Sequence, residues 1–480
     1  MNDIIKLLDL KDDSITVDDI KTVNDTMIIC ISKKYAPMYC PLCNSRMQSK
    51  GIYTRKVNYP VLQNGYKVVI HLKQRKWHCT DPLCNHYCND EFVFAQRYSH
   101  NANMVPYMIL NVLKDLNVSA AQAARTFNVS DTYVHNIVLR YLDPQRLPFP
   151  PILSIDEVYL DFDKGNKYAL VLMDFLSGEI IDILPNRLDK TASDYFLSID
   201  KKERSIVKYI VCDMYNEYVN YPIKFFPNAK TIIDSFHVIQ WIINKINNYI
   251  NDVKKKYQKR DQKLLEKENY ENNRDNKKKK DSREVFILKN FKWVLLKNKN
   301  HIDYSLHKHK YWHLNMRLNT YDIEKMFLDL DPMFRKIRDL KEEYIYFNDD
   351  FPKNIDDARI ELEIIIDKYK KCEINIFIEF ADLLERYKEE ILLSFTELPH
   401  KKDEDGRRIS NGPIEGFNRK PKDFKRNSRG VDNYAYTKNR LLWATRQNEP
   451  VLAVPKSEQE IHNYTGIKRG IYKKYNKINK

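Results

Sequence analysis

Five residues have the types and the settings for phosphoryl-transfer chemistry: Asp156, Asp213, Asp234, His237 and Glu415. Asp156 interrupts the apolar run PILSIDEVYLDF, with Glu157 beside it, and a carboxylate inside a strand needs something to offset its desolvation. Asp213 ends SIVKYIVCDMY. Asp234 lies in AKTIIDSFHVIQ, with His237 three residues on at an expected helix start. Glu415 lies in SNGPIEGFNRKPKDFKRNSRG, where Ser410, Asn411, Gly412 and Pro413 mark a helix start and put Glu415 in its first turn. Carboxylates brought together at neutral pH repel unless divalent cations neutralise them, so such a set points to Mg²⁺, or Mn²⁺ in its place. In a two-metal site one ion activates a water or 3′-hydroxyl and the other stabilises the departing oxygen of a phosphodiester. Arg419, Lys420, Lys422, Lys425, Arg426 and Arg429 surround Glu415 and would draw a phosphate across it. Taken singly, Asp156 and Asp213 suit strand-end turns equally well, and Glu415 suits a helix N-terminus. As a set, Asp156, Asp213 and Glu415 form the expected metal-binding trio, which Asp234 and His237 join or border.

The elements that must position these groups follow in order. After PILSIDEVYLDF come the strand-like KYALVLMDF and EIIDILPN, joined by the turn at Leu176-Ser177-Gly178, then the helical KTASDYFLSIDKKER, then SIVKYIVCDMY. Strand, strand, strand, helix, strand is the opening of a ribonuclease H-like fold, whose first and fourth strands are adjacent and parallel. That arrangement would unite Asp156 with Asp213 across their sequence separation. The long stretch between Asp234 and Glu415 exceeds any simple connection, and its helix-period segments VIQWIINKINNYINDVKKKYQKR and EKMFLDLDPMFRKIRDLKEEYIYF imply an all-α insertion. NYENNRDNKKKKDSRE interrupts it as an expected mobile loop, and Trp293 and Trp312 are expected to be buried in its core rather than to stack on bases.

Six of the eight cysteines fall in the first hundred residues. Cys40-Pro-Leu-Cys43 and Cys79-Thr-Asp-Pro-Leu-Cys84 are two short pairs at zinc-ligand spacing, with His78, His86 and Cys88 as substitutes for one thiolate. Four protein ligands leave no open position, so the expected Zn²⁺ is structural. Between the pairs, YKVVIHLKQRKWHC alternates as a strand and offers Lys73, Arg75 and Lys76 to DNA. Next, NVSAAQAARTFNVSDTYVHNIVLRYL has helix-turn-helix form: Ser119 caps one helix, Asn128-Val129 turn, and Ser130 caps the second. Ser130, Thr132, Tyr133 and Asn136 then lie near the start of the recognition helix. Pro144, Pro148, Pro150 and Pro151 mark a linker.

The expected organisation is therefore a multidomain α/β chain. It comprises an N-terminal segment (1–35), a zinc ribbon-like module (36–98), a helix-turn-helix (100–146), the first part of the catalytic domain (150–245), a helical insertion (246–400), the final catalytic helices with Glu415 (401–450) and a basic tail (451–480). Composition agrees with a polyanion partner: 81 Lys and Arg against 66 Asp and Glu leave a formal charge of +15. No apolar run reaches membrane-spanning length and the start lacks a secretory pattern, so the expected location is the cytoplasm, in association with the nucleoid.

The chain resembles the ISL-three family of bacterial insertion-sequence transposases in CPLC with RKWHC, SIDEVYL, VCDMYNEYVNYPIKFFPNAKTIIDSFHVIQ and NGPIEGFNRKPKDFKR. The resemblance implies an Asp-Asp-Glu transposase. It assigns catalysis to Asp156, Asp213 and Glu415, with Asp234 standing in place of Asp213 in some readings, and matches Asp234 and His237 to a D-x-F-H motif that assists the metal site or strand separation. It further implies that the protein binds terminal inverted repeats of double-stranded DNA as a homodimer or higher oligomer, cutting and joining strands without a Tyr or Ser nucleophile. Ser235 departs from the family's expected Arg, and the second Cys pair is longer than expected. Two other outcomes fit the same residues: a DNA-binding regulator that has lost cleavage, and a structure-selective nuclease.

Overall fold

The computed structural model describes residues 8, 10, 12–59, 67–163, 166–272, 281–351, 353–398, 407–428 and 433–464. Arg429, residues 273–280 of the charge-rich interruption and the tail beyond 464 lie outside the described residues.

The front sheet contains β1 (Ile15–Val23), β2 (Thr26–Lys33), β3 (Met47–Tyr59), β4 (Lys67–Cys79) and β5 (Tyr87–Asn89). Its order is β1-β2-β4-β3, with β5 also on β4. β2 pairs in parallel with β4, so strands from the expected N-terminal segment, residues 1–35, share a sheet with the strands between the cysteine pairs. Val68, Ile70 and Leu72 of β4 are buried at alternate positions, as a half-buried strand requires. A bulge in β3 between Ser49 and Ile52, containing Gly51 at φ +124°, shifts the register, and beyond it Trp77 and Cys79 are the buried positions.

Three helices follow: α1 (Val105–Leu113), α2 (Ala120–Phe127) and α3 (Asp131–Tyr141). Ser119 Oγ accepts from Gln122 N at 3.1 Å and Ser130 Oγ from Tyr133 N at 3.1 Å, so both expected caps form. Asn128 closes α2 in the left-handed region, φ 52° and ψ 47°, which a short polar side chain tolerates. Ala123, Ala124, Phe127, Val134, Ile137 and Val138 are buried between the helices.

The central sheet comprises β6 (Ile152–Asp163), β7 (Asn166–Asp174), β8 (Ile180–Leu184), β9 (Tyr209–Cys212) and β10 (Lys230–Ile233), with α4 (Asp189–Leu197) between β8 and β9. The strand order is β10-β9-β6-β7-β8. β6, β7 and β8 are antiparallel neighbours, whereas β6, β9 and β10 run parallel. Both faces are covered. Val158, Leu160, Ala169, Val171 and Met173 join a core shared with the front sheet and α1–α3, while Leu153, Ile155, Leu170 and Leu172 pack against Phe196 of α4, Tyr221 and Phe226.

α5 (Ser235–Asn272) leaves the sheet directly after β10. Its 38 residues span about 57 Å. Val238, Ile242, Ile246, Ile250 and Val253 form one stripe, the centre of a second core built with α6 (Arg283–Asn290), α7 (Thr320–Leu328), α8 (Met333–Asp349), α9 (Ile355–Lys370) and α10 (Asn375–Arg386). A hairpin, β11 (His309–Tyr311) with β12 (Met316–Leu318), interrupts these helices. Trp293 is half-buried against this core. Trp312 departs from expectation: it lies in the hairpin turn, 78% exposed, because a three-residue strand pair has no second layer to cover it.

α11 (Gly412–Asn427) and α12 (Tyr434–Thr445) return to the central sheet, and α13 (Glu458–Tyr464) follows. Ile414, Phe417 and Phe424 of α11 enter the core shared with β6 and β7. α12 fastens the helix-turn-helix. The fully buried Arg440 guanidinium donates to the carbonyls of Asp115 and Val118, Trp443 Nε1 donates to Leu110 O, and the His135 ring lies 4.1 Å from that of Tyr436. Among the described residues no helix is long and apolar enough to cross a membrane.

Candidate functional site

Parallel register decides which carboxylates can meet. Ser154 pairs with Val211 and Cys212 with Ile233, so Asp156, Asp213 and Asp234 fall at one level across β6, β9 and β10. Asp156 is within β6, while Asp213 and Asp234 are the first residues beyond their strands, at the carboxyl ends where parallel sheets place ligand sites. Asp234 N donates to Cys212 O at 3.1 Å, continuing the ladder one step, and His237 N donates to Asp234 O at 3.1 Å in the first turn of α5. His237 is thereby turned back over the strand ends.

α11 brings the fourth acid. Pro413 at the helix start puts Glu415 in the first turn, and the buried Asn411, just before the helix, donates from Nδ2 to Ile155 O at 3.4 Å. One turn beyond Glu415, the buried Asn418 donates from Nδ2 to Asp156 Oδ2 at 2.7 Å. Side chains three apart share a helix face, so the contact that ties α11 to Asp156 also aims Glu415 at the strand ends. His237 Nε2 lies 3.4 Å from Glu415 Oε1, a charge contact rather than an aligned hydrogen bond. One ligand atom each from Asp234, His237 and Glu415 lie within 4.8 Å of one another.

The structure thus brings all five sequence candidates to one edge of the sheet, but groups them differently from the expected trio. Among the described residues the tight cluster is Asp234, His237 and Glu415, and Asp156 couples to it through charge. Burial pushes the Asp156 carboxyl up to about 6; the Glu157 amide and His237 oppose this, and the Asp213 and Glu415 carboxylates add to it. Burial also raises Asp234, against the pull of His237, and raises Glu415, with Asp234 adding to the effect. Carboxylates held above their usual range by burial and by one another fit a site made to receive a divalent cation, and an oxygen-rich set with one imidazole suits Mg²⁺ or Mn²⁺.

A pH dependence follows. Asp156 has a raised pKa in the fold, so the native protein holds a proton that the unfolded chain has released between about 3.8 and about 6. Its contribution to metal-free stability is fully present below the unfolded value and is lost as pH rises through about 6. Cation binding runs the other way, because the cation displaces that proton. Calorimetric titration with Mn²⁺ should show affinity falling by up to about ten-fold per pH unit below about 6. An affinity that is flat from about pH 5 to about 8 would exclude Asp156 as a ligand.

Asn411, Asn418 and Arg187 are site residues that sequence reasoning missed. Asn418 carried a usable signal, its place one turn after Glu415. Arg187 carried none: it pairs with Glu157 Oε2 at 2.5 Å from a loop thirty positions away, and Tyr218 Oη donates to the same oxygen at 3.1 Å.

At the front sheet, Cys40, Cys43, Cys79 and Cys84 converge, with all four sulfurs within 4.8 Å of one another. The Cys43 to Cys79 separation is 3.4 Å and the Cys40 to Cys84 separation 3.7 Å, against about 3.8 Å for thiolates around one tetrahedral Zn²⁺. The substitute ligands are engaged elsewhere or outside the cluster: His78 Nε2 lies 2.6 Å from Asn85 Oδ1 and Cys88 Sγ contacts Met47 Sδ at 3.6 Å. Hydrogen bonding from Ser45 lowers the Cys43 thiol to about 6, whereas burial raises those of Cys79 and Cys84 in the metal-free cluster.

The DNA-contact candidates divide. Lys73 is ion-paired with Asp18 at 3.0 Å, while Arg75 and Lys76 lie over the rings of Tyr35 and Tyr87. Thr132 is exposed on α3 and Ser130 is spent on capping. Asn136 is half-buried, and Tyr133 packs inward against the core. On α11, Arg419, Lys422 and Arg426 are exposed, with Arg426 paired to Asp423 at 3.2 Å, and Lys425 is half-buried.

The model of the ISL3 (ISL-three) Asp-Asp-Glu type, described as transposase, matches residues 153–441, more than half the chain. The chain is also similar to the transposase for insertion sequence element IS1001 of Bordetella parapertussis, with 22% identity over 287 residues. That alignment covers 58% of this chain and 63% of the relative, so the chain spans somewhat less than two thirds of that protein's length.

Proposed function

We propose, from the premise that this chain belongs to the ISL-three family of insertion-sequence transposases, that it binds the ends of a mobile element and cuts and joins DNA strands at the Asp156, Asp213, Asp234, His237 and Glu415 site. The central domain is read as ribonuclease H-like, which the strand order and the parallel pairing of β6 with β9 support. The single observation that carries the reading is the level register of Asp156, Asp213 and Asp234 beneath Glu415.

Divalent cations bound by Asp156, Asp213 and Glu415, with Asp234 and His237 completing or bordering the set, would supply the activation of the nucleophile and the stabilisation of the leaving oxygen. The chain's own residues do the rest. Asn418 fixes one oxygen of Asp156 and thereby the rotamer of its carboxylate. Arg419, Lys422 and Arg426 on α11 offset phosphate charge beside Glu415. A water or a 3′-hydroxyl attacks phosphorus and gives up its proton to solvent, the bond to the departing oxygen breaks, and that oxygen leaves with a proton drawn from solvent. Cys40, Cys43, Cys79 and Cys84 would hold a structural Zn²⁺ that braces the end of the front sheet, and the front sheet together with α2 and α3 recognises terminal inverted repeats. Two copies pair the element ends.

Purified protein incubated with Mg²⁺ and DNA carrying the element's own flanking ends tests this. Expected are nicks at the ends and their joining to other DNA, both abolished by chelation. Binding to the ends with no metal-dependent cleavage would overturn the reading in favour of a regulator, and cleavage without joining would favour a nuclease.

A further inference from the structure

A row of alternating rings and cations crosses the surface beside the candidate site. The Arg187 guanidinium lies 5.1 Å from the Tyr215 ring centroid and 4.9 Å from that of Tyr168. Tyr168 meets Tyr159 edge to face with centroids 5.6 Å apart, and Lys425 Nζ sits 4.0 Å over the Tyr159 ring. The row therefore runs Tyr215, Arg187, Tyr168, Tyr159, Lys425, drawn from four separate parts of the chain. Its rings stay open: Tyr159 and Tyr168 are 38% exposed and Tyr215 is 37% exposed, whereas the neighbouring Tyr218 and Tyr221 are buried. A cleft of about 460 Å³ lies at the Tyr215 end, lined also by Lys167, Asp189 and Glu217.

The Tyr215 end of the row is tied to the acids. Tyr215 N donates to Asp213 Oδ1 at 3.0 Å. Tyr159 follows Asp156 by three residues in β6, about 10 Å along the strand and on the opposite face of the sheet, the face of Glu157. Lys425 follows Glu415 by ten residues in α11, about 15 Å along the helix. Arg187 is held by Glu157, the residue next to Asp156. The row is thus pre-organised, and its Tyr215 end adjoins Asp213 at the strand ends.

Charge identifies the ligand. Glu157 offsets Arg187, Asp161 accepts from Tyr159 Oη at 3.5 Å, and Asp189 and Glu217 line the cleft, so the cations do not add up to a phosphate-attracting strip. What remains is stacking surface, and ring faces interleaved with cations bind bases that have left the duplex. We infer that Tyr159, Tyr168 and Tyr215, with Arg187 between them, form a stacking site for about three unpaired nucleotides of the DNA strand next to the cleaved bond. The inference rests on the catalytic reading of the neighbouring acids for its location, but not for its test.

The probe is a fluorescent duplex with a three-nucleotide unpaired thymidine end, compared with the same duplex fully paired. Wild type should prefer the unpaired end. Tyr159→Leu combined with Tyr168→Leu should reduce affinity for it by about ten-fold or more, leave affinity for the paired duplex within about two-fold, and be rescued by Phe at both positions. Photo-crosslinking from 5-iodouracil in the unpaired end should map to peptides containing Tyr159, Tyr168 or Tyr215. Equal losses on both probes, no loss, or crosslinks confined to other segments would overturn the inference. Because binding is read without Mg²⁺, a protein that never cleaves still tests it, and cleavage with no preference for the unpaired end defeats this inference alone.

Discussion

Asp156→Asn should abolish strand cleavage, by at least about a thousand-fold, while the folded protein becomes slightly more stable. The loss follows from the work asked of the carboxylate: holding a cation at the reacting phosphate contributes several kcal/mol of transition-state stabilisation, and each 1.36 kcal/mol is about a factor of ten in rate. The gain follows from the ground state. Burial, with the Asp213 and Glu415 carboxylates adding to it, holds the Asp156 pKa up to about 6, so a neutral amide of the same shape relieves a desolvation cost and a repulsion that exist when no cation is present. Asn keeps one acceptor oxygen, for the Asn418 amide that donates to Asp156 at 2.7 Å, and gives up the bond that Asp156 accepts from Glu157 N at 2.8 Å, which keeps the gain small. Cleavage rate and metal-free melting temperature, measured together, should therefore move in opposite directions. A variant that retains cleavage within about ten-fold of wild type would remove Asp156 from the catalytic set. A variant that merely unfolds would show both quantities falling, which is a different result.

Removing the metal from the four-cysteine cluster should cost the knuckle at the end of the front sheet its fold and the protein its hold on element ends. A small metal knuckle has little core of its own: Cys40, Met47, Trp77, Cys79 and Cys88 form an isolated cluster, apart from the core that joins β1–β4 to α1–α3. Structural Zn²⁺ contributes on the order of ten kcal/mol in such settings, so its loss cannot be absorbed by neighbouring packing. The expected protein carries about one Zn²⁺ per chain. Strong chelation, or Cys79→Ser, should shift the fluorescence of Trp77, which is buried among the cysteines, and weaken end binding by more than about ten-fold. Trp77→Phe identifies the signal. Protein that lacks Zn²⁺ yet binds ends at full strength, with Trp77 still buried, would show that the cluster is a set of free thiols.

Much of this was legible in the chain itself because it is encoded locally. The caps at Ser119 and Ser130 and the left-handed Asn128 act within four residues, so the helix-turn-helix follows from its own segment. The two cysteine pairs converge because each sits on one tight turn, and the alternation of β4 follows from a period of two in apolar residues. Asp156, Asp213, Asp234, His237 and Glu415 could be chosen in advance because charge at the end of an apolar run is costly and therefore conspicuous.

Other features depend on contacts between distant segments, which no local pattern encodes. That β1 and β2 complete the front sheet is decided by the parallel pairing of β2 with β4, a choice among several open edges. The exposure of Trp312 is decided by a hairpin too short to be covered, and composition alone had pointed to burial. The grouping of the acids came from register: a shift of one residue between β9 and β10 would move Asp234 to the other face, so only the assembled sheet distinguishes a trio centred on Asp213 from a cluster of Asp234, His237 and Glu415. The row from Tyr215 to Lys425 is the extreme case, since each of its residues is unremarkable in sequence and meaningful only beside the others. Sequence determined which residues carry charge, sulfur and ring faces and how each element folds locally; the tertiary structure decided which of them meet, because pairing and packing select among many arrangements of equal local merit.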